Sequence, residues 1–181
     1  MMWLFVLSAI ALALTLAIRS AVRGFASAVT DPEQLFGRTI PIDVDAFRNL
    51  LRPEDDEYLR AHLPPYSFLR VRRSRFLAAY EYVRMIARNS AILVRLGQAA
   101  RASSDTQVSE AAQQLIHLAI ETRVYAFLAE AQLLIASCLP WWQPSLGTIV
   151  LVYPSTCSAV DRIMRLQRPE LAGRVHAALR A

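Results

Sequence analysis

Apolar positions recur along this chain in three ways. Residues 1–18, MMWLFVLSAIALALTLAI, carry no charged side chain, and the run ends at Arg19 and Arg23. With 1.5 Å of rise per residue, and with Arg19 snorkelling while the helix continues through Ser20 to Val22, this stretch reaches across a hydrocarbon core of about 30 Å. The second pattern is helical periodicity. No proline interrupts Tyr66 to Ser103, nor the stretch from Ser104 to Leu139, and good helix formers fill both. The third is a stretch without ionisable carboxylates or guanidinium groups, Leu133 to Val160, cut by Pro140, Pro144 and Pro154 into pieces of about ten residues, each too short to span a bilayer.

These patterns predict an all-α chain: an N-terminal transmembrane helix followed by a helical domain built on a long antiparallel helical hairpin. The division is a transmembrane signal anchor at 1–28, short linking helices at 29–64, and the helical domain at 65–181. In that domain the long helices cover about 66–102 and 105–139, and short ones about 145–168 and 169–180. Each long helix rises about 50 Å, and the turn ASSD is too short for any arrangement but a fold-back. Ser104 and Gln107 have the spacing of a capping box at the second long helix. Among the linking segments, TDPEQLF has Asp31 as N-cap with Pro32 behind it, and Gly37 ends that helix. Asp43 or Asp45 caps IPIDVDAFRNLL, and Pro53 opens RPEDDEYLRAHL. The acids Glu54 to Glu57 lie in a first turn, where the helix dipole favours negative charge. The proline-divided stretch is expected to bury within the domain beside the membrane, with entry into one leaflet as the alternative.

Charge placement adds detail to the hairpin. At 100° per residue Arg70, Arg73, Arg84, Arg88 and Arg95 fall within about 60° of one another on the first long helix, with Glu81 among them. Folding about Ser103 and Ser104 brings Arg84 and Arg88 level with Arg123 and Glu121. A structural charge network of Glu81, Arg84, Arg88, Glu121 and Arg123 is the expectation. The densest basic run, RVRRSR, contains Arg70, Arg72, Arg73 and Arg75. The returning helix brings Trp141 and Trp142 to the same pole. Guanidinium groups beside indoles suit a lipid interface, so these six residues are the candidate lipid or partner contacts.

Composition excludes several chemistries. All 20 basic residues are arginine, so lysine Schiff bases and a P-loop lysine are ruled out. Five scattered glycines make neither a phosphate loop nor a dinucleotide fingerprint. Cys138 and Cys157 are too few for a disulfide framework and read as small packing residues. His117 with Glu121 and Glu110 lacks the paired Glu-x-x-His pattern of a di-metal bundle, while His62 and His176 stand alone, so neither metal nor cofactor is expected. The net charge of +5 is read as attraction to anionic lipid rather than to nucleic acid.

The arginines that follow the first apolar run favour a retained anchor over a cleaved signal peptide, although ASA at 26–28 offers a small-residue site. By the positive-inside rule they hold the domain on the cytoplasmic side of the cell's inner membrane, single-pass. The functional expectation is a membrane-anchored helical interaction module (scaffold, adaptor or accessory subunit) without catalytic activity and with a protein partner. Two alternatives accompany it: an enzyme or ligand carrier with a polar pocket at Glu121, His117 and Arg123, and an anionic-lipid-binding factor.

Overall fold

The computed structural model describes residues 39–139 and 141–167, and all of them fall in one compact unit. Five helices make up the described residues: α1 Val44–Leu50, α2 Pro53–His62, α3 Pro65–Arg101, α4 Thr106–Cys138 and α5 Gly147–Gln167. The expected transmembrane segment at 1–28, the Asp31 cap, Gly37 and the last helix at 169–180 lie outside the described residues. Among the described residues no helix is long and apolar enough to cross a membrane.

Helices α3 and α4 pair along their lengths as the hairpin. The 37 residues of α3 rise about 55 Å and the 33 of α4 about 50 Å. Their seam repeats every seven residues. On α3 the buried positions are Arg72, Ala79, Ile86, Leu93 and Ala100 in one series, and Phe76, Val83, Ser90 and Gly97 in the other. On α4 they are Val108, Leu115, Thr122, Ala129 and Ala136, and Ala112, Ala119, Ala126 and Leu133. A repeat of 3.5 residues keeps one stripe of each helix on its partner over many turns. The many alanines, with Gly97, let the two backbones approach closely. At Gly97 an added Cβ would lie 2.7 Å from Cγ1 of Ile116 and 3.1 Å from the carbonyl of Ala112.

A second layer covers one side of the hairpin. Helix α5 lies chiefly along α4, burying Ile149, Tyr153, Cys157, Val160 and Ile163. A buried hydroxyl pair, Thr122 with Thr156 at 2.7 Å, joins the two helices. Helix α1 packs on α3, with Phe47 stacked on Tyr82 at 5.6 Å. Asn89, fully buried, ties these parts together: its carboxamide donates to the Ile40 carbonyl and the Tyr153 hydroxyl and accepts from the Ile40 N–H. Each hydrogen-bonding group of that side chain thus finds a partner, as a buried amide requires.

Local signals resolve in three places. Asp43, not Asp45, caps α1, its carboxylate accepting from the Ala46 N–H at 2.8 Å. The cap of α4 is Asp105 rather than Ser104, with Oδ1 accepting from the Gln107 N–H at 2.8 Å. Ser103 supports that turn from outside by accepting from the Asp105 N–H. Pro154 does not divide the apolar stretch; α5 runs through it. Proline costs the N–H that would bond the carbonyl four residues earlier, but the packing of Val150, Tyr153 and Cys157 on both sides of it holds the helix together.

Candidate functional site

At the open end of the hairpin the RVRRSR run divides into two pairs. Arg72 and Arg75 point inward, whereas Arg70 and Arg73 are exposed. Arg72 is only 4% exposed; its Nε lies 3.3 Å from an Asp56 carboxylate oxygen and its Nη2 donates to the Trp142 carbonyl at 3.0 Å. Its guanidinium also covers the Phe76 ring at 5.0 Å. Arg75 reaches the carbonyls of Asn49, Leu50 and Arg52, where α1 ends, and two of the carboxylates at the start of α2: Asp55 at 3.2 Å and Asp56 at 3.3 Å. A helix C-terminus offers unpaired carbonyls and partial negative charge, so a guanidinium with five donors suits this corner. The acids of α2 therefore do more than complement a dipole. They fix α2 to the root of α3, and Arg72 holds the link after α4 there through the Trp142 carbonyl. Surface contacts by arginine at this pole are left to Arg70 and Arg73, with Trp141 77% exposed and Trp142 half-exposed.

The charges expected along the hairpin are distributed as follows. Glu81 and Arg84 meet at 3.5 Å within α3, both exposed, and Arg84 also lies over the Tyr80 ring at 5.9 Å. Across the hairpin Arg84 and Glu81 act electrostatically on Glu130 of α4. Arg95 acts electrostatically on Arg123. Arg88 sits exposed on α3. Glu121 projects about 160° from Arg123 around α4, on the flank where Gln114 and Gln132 bond to Arg162 and to the Ser145 N–H. His117 is exposed. Glu121, His117 and Arg123 therefore do not converge on one pocket, and among the described residues no group of three His, Cys, Asp or Glu side chains is placed to hold a metal. His62 stacks on Tyr58 and bonds its carbonyl at the surface; His176 lies outside the described residues. Cys157 is buried, but Cys138 is exposed and is not a packing residue.

Burial raises the Glu130 carboxyl above its ordinary range; the nearby Arg84 guanidinium opposes this and Glu81 adds to it. A carboxyl raised in the folded state contributes its full stability below the unfolded carboxyl range and loses it as pH rises through its own higher value. Glu130→Gln is accordingly expected to be more stable than the parent at neutral pH. The advantage should shrink toward pH of about 4, which melting curves of the two proteins between about pH 4 and 8 would measure. For Arg123, burial first and the Arg95 charge second disfavour the charged form.

The feature that periodicity did not single out is the outer face of the hairpin, opposite α5. On α4 the exposed side chains Ile120, Val124, Phe127, Leu128, Leu134 and Ile135, with Cys138, fall within about 120° of one another. That arc holds no charged residue from Ile120 to Cys138. It is about 27 Å long and lies opposite the helix's own core seam. Helix α3 lies on one flank of α4 and α5 on the other, so the apolar arc and the solvated stripe of α3 belong to one broad face. That stripe carries Arg70, Arg73, Arg84, Arg88 and Arg95, with Leu77 and Glu81 between them. Elsewhere on the described surface an open cleft of about 710 Å³ lies between the α1–α2 corner and residues 143–151, and Leu51, Phe76, Val150 and Leu151 line it beside Arg48 and Arg52. No protein-family model, curated protein or solved structure matches this chain.

Proposed function

We propose that this protein is a membrane-anchored helical interaction module (a scaffold, adaptor or accessory subunit) without catalytic activity, and that the outer face of its hairpin is the working surface. The apolar arc of α4 carries this reading. A surface helix of a globular domain ordinarily turns charged and polar residues away from its core, and one that is apolar all round is buried. Here six large apolar side chains and a thiol stand outside on one line. A contiguous apolar patch rimmed by charge is characteristic of an interaction surface. The uncharged run at 1–18, followed by Arg19 and Arg23, supports membrane attachment with the domain on the cytoplasmic side.

The chain's own thiols provide the test, because Cys138 lies on the arc and Cys157 is buried. In a Cys138→Ser background, Val124→Cys places a thiol at the middle of the arc and Ser155→Cys places one on the exposed side of α5. In native membranes a water-soluble maleimide is expected to modify Cys at 155 rapidly and Cys at 124 at least tenfold more slowly. After denaturation the two rates should converge. Equal rates in native membranes would mean that nothing covers the arc, and the reading would fall.

A further inference from the structure

Resting on that reading, we infer that the occupant of the outer face is the surface of an anionic phospholipid bilayer, on which the hairpin lies lengthwise with α4 seated among the acyl chains and the α3 arginines among the phosphates. Two observations converge on this. The first is the pairing of chemistries on one face. An interfacial helix needs an apolar side to enter the headgroup boundary and cationic groups beside it, and here the two requirements are divided between neighbouring helices. Val124 and Leu128 represent the apolar line, and Arg70, Arg73 and Arg88 the exposed cationic one. Glu81, the acid within the arginine stripe, is matched by Arg84 at 3.5 Å, so the stripe remains strongly positive.

The second observation is the limit on α4. Its length exceeds that of a span, but no described helix is apolar enough to cross a membrane, and Glu121, Arg123 and Glu130 lie on its flanks. A helix with this arrangement can lie in the interface but cannot span it. Arginine suits this task because its planar, weakly hydrated guanidinium binds phosphate in two-point fashion, and this chain uses arginine for every basic side chain. The internal pairing of Arg72 and Arg75 sharpens the assignment: lipid contact moves from the basic run as a whole to the stripe running the length of α3.

The experiment uses the full chain reconstituted alone into vesicles of phosphatidylcholine, with and without phosphatidylglycerol, and a nitroxide on Val124→Cys or Ser155→Cys in the Cys138→Ser background. With phosphatidylglycerol, the label at 124 should be relaxed by oxygen and shielded from an aqueous nickel chelate, while the label at 155 stays accessible to the chelate. Replacing Arg70, Arg73 and Arg88 with Gln is expected to lower the docked-to-undocked ratio roughly a hundredfold, at about fivefold per arginine. The proportion of anionic lipid needed for docking should therefore rise. Raising the salt from about 0.1 M to 1 M should have the same direction of effect, since the screening length falls from about 10 Å to about 3 Å. A label at 124 that stays open to the chelate in every vesicle overturns the inference. So does one shielded equally in neutral and anionic vesicles with spin–spin broadening between copies, which would assign the arc to a second copy of the chain. Neither outcome touches the maleimide result in native membranes, so failure of the lipid assignment and failure of the module reading are separable.

Discussion

Arg72→Ala is expected to destabilise the domain by about 3–5 kcal/mol, whereas Arg73→Ala, one residue along in the same basic run, should change stability by no more than about 0.5 kcal/mol. The contrast follows from what each side chain leaves behind. Arg73 is exposed, and its removal uncovers nothing. Removing Arg72 leaves Asp56, whose side chain is 17% exposed, without one of its two guanidinium partners, and takes from the Trp142 carbonyl its donor. A buried ion that loses one partner costs more than the pair was worth, because it has given up water and keeps only Arg75 in return. Removing both charges is therefore the informative control: Arg72→Met with Asp56→Asn should recover a substantial part of the loss. Chemical denaturation of the purified chain would measure all four proteins. A loss for Arg72→Ala no greater than that for Arg73→Ala would show that the open end does not depend on this clasp.

Gly97→Leu is expected to cost about 3 kcal/mol, although leucine is much the better helix former. Intrinsic propensity alone would favour a change away from glycine by nearly 1 kcal/mol in a helix interior. Packing opposes it. The Cβ alone would stand 2.7 Å from Ile116 Cγ1 and 3.1 Å from the Ala112 carbonyl. The first of these belongs to a β-branched side chain with little freedom to turn aside, and the second is backbone. The helices must separate, and every seam residue near the turn loses contact with its opposite number. Overpacking of this kind typically costs about 1–3 kcal/mol, and a leucine here lies at the upper end. Gly97→Ala should be destabilising too, by less. In the Ile116→Ala background its cost should fall or reverse sign, because the nearest clashing atom is gone and propensity then dominates. A double-mutant cycle in thermal or denaturant unfolding gives that coupling directly. Additive effects would mean that the close approach at Gly97 does not set the spacing of α3 and α4.

Much of the architecture is legible from the amino-acid sequence by itself. The two proline-free helical stretches and the short turn between them dictate an antiparallel hairpin, because two long helices joined by so short a turn must fold back on each other. On α3 the seven-residue repeat is also written there, as Ala79, Ile86, Leu93 and Ala100. Asn89 stands on an otherwise apolar side of α3, and the structure gives its amide a cross-helix bond to Tyr153.

What the tertiary structure decided depends on distances between elements that periodicity does not encode. Counting back from the turn sets Arg84 opposite Arg123, but the charge it acts on is Glu130, further along α4. Side chains lean toward the N-terminus of their own helix. In an antiparallel pair that lean carries contacts to higher residue numbers on both strands of the hairpin. The clasp was hidden for a similar reason. Asp55 and Asp56 stand in a first turn that a helix dipole already explains, and only the angle at which α2 returns to α3 brings them onto Arg72 and Arg75. Above all, α4 is apolar on nearly every side along its second half, so its sequence has no single stripe to assign to a core. The positions of α3 on one flank and α5 on the other decide which apolar residues are buried. Ile120, Val124, Phe127 and Leu128 are left outside by that placement alone. Burial is a property of what else occupies the neighbouring space, and a one-dimensional pattern records only what each residue would tolerate there.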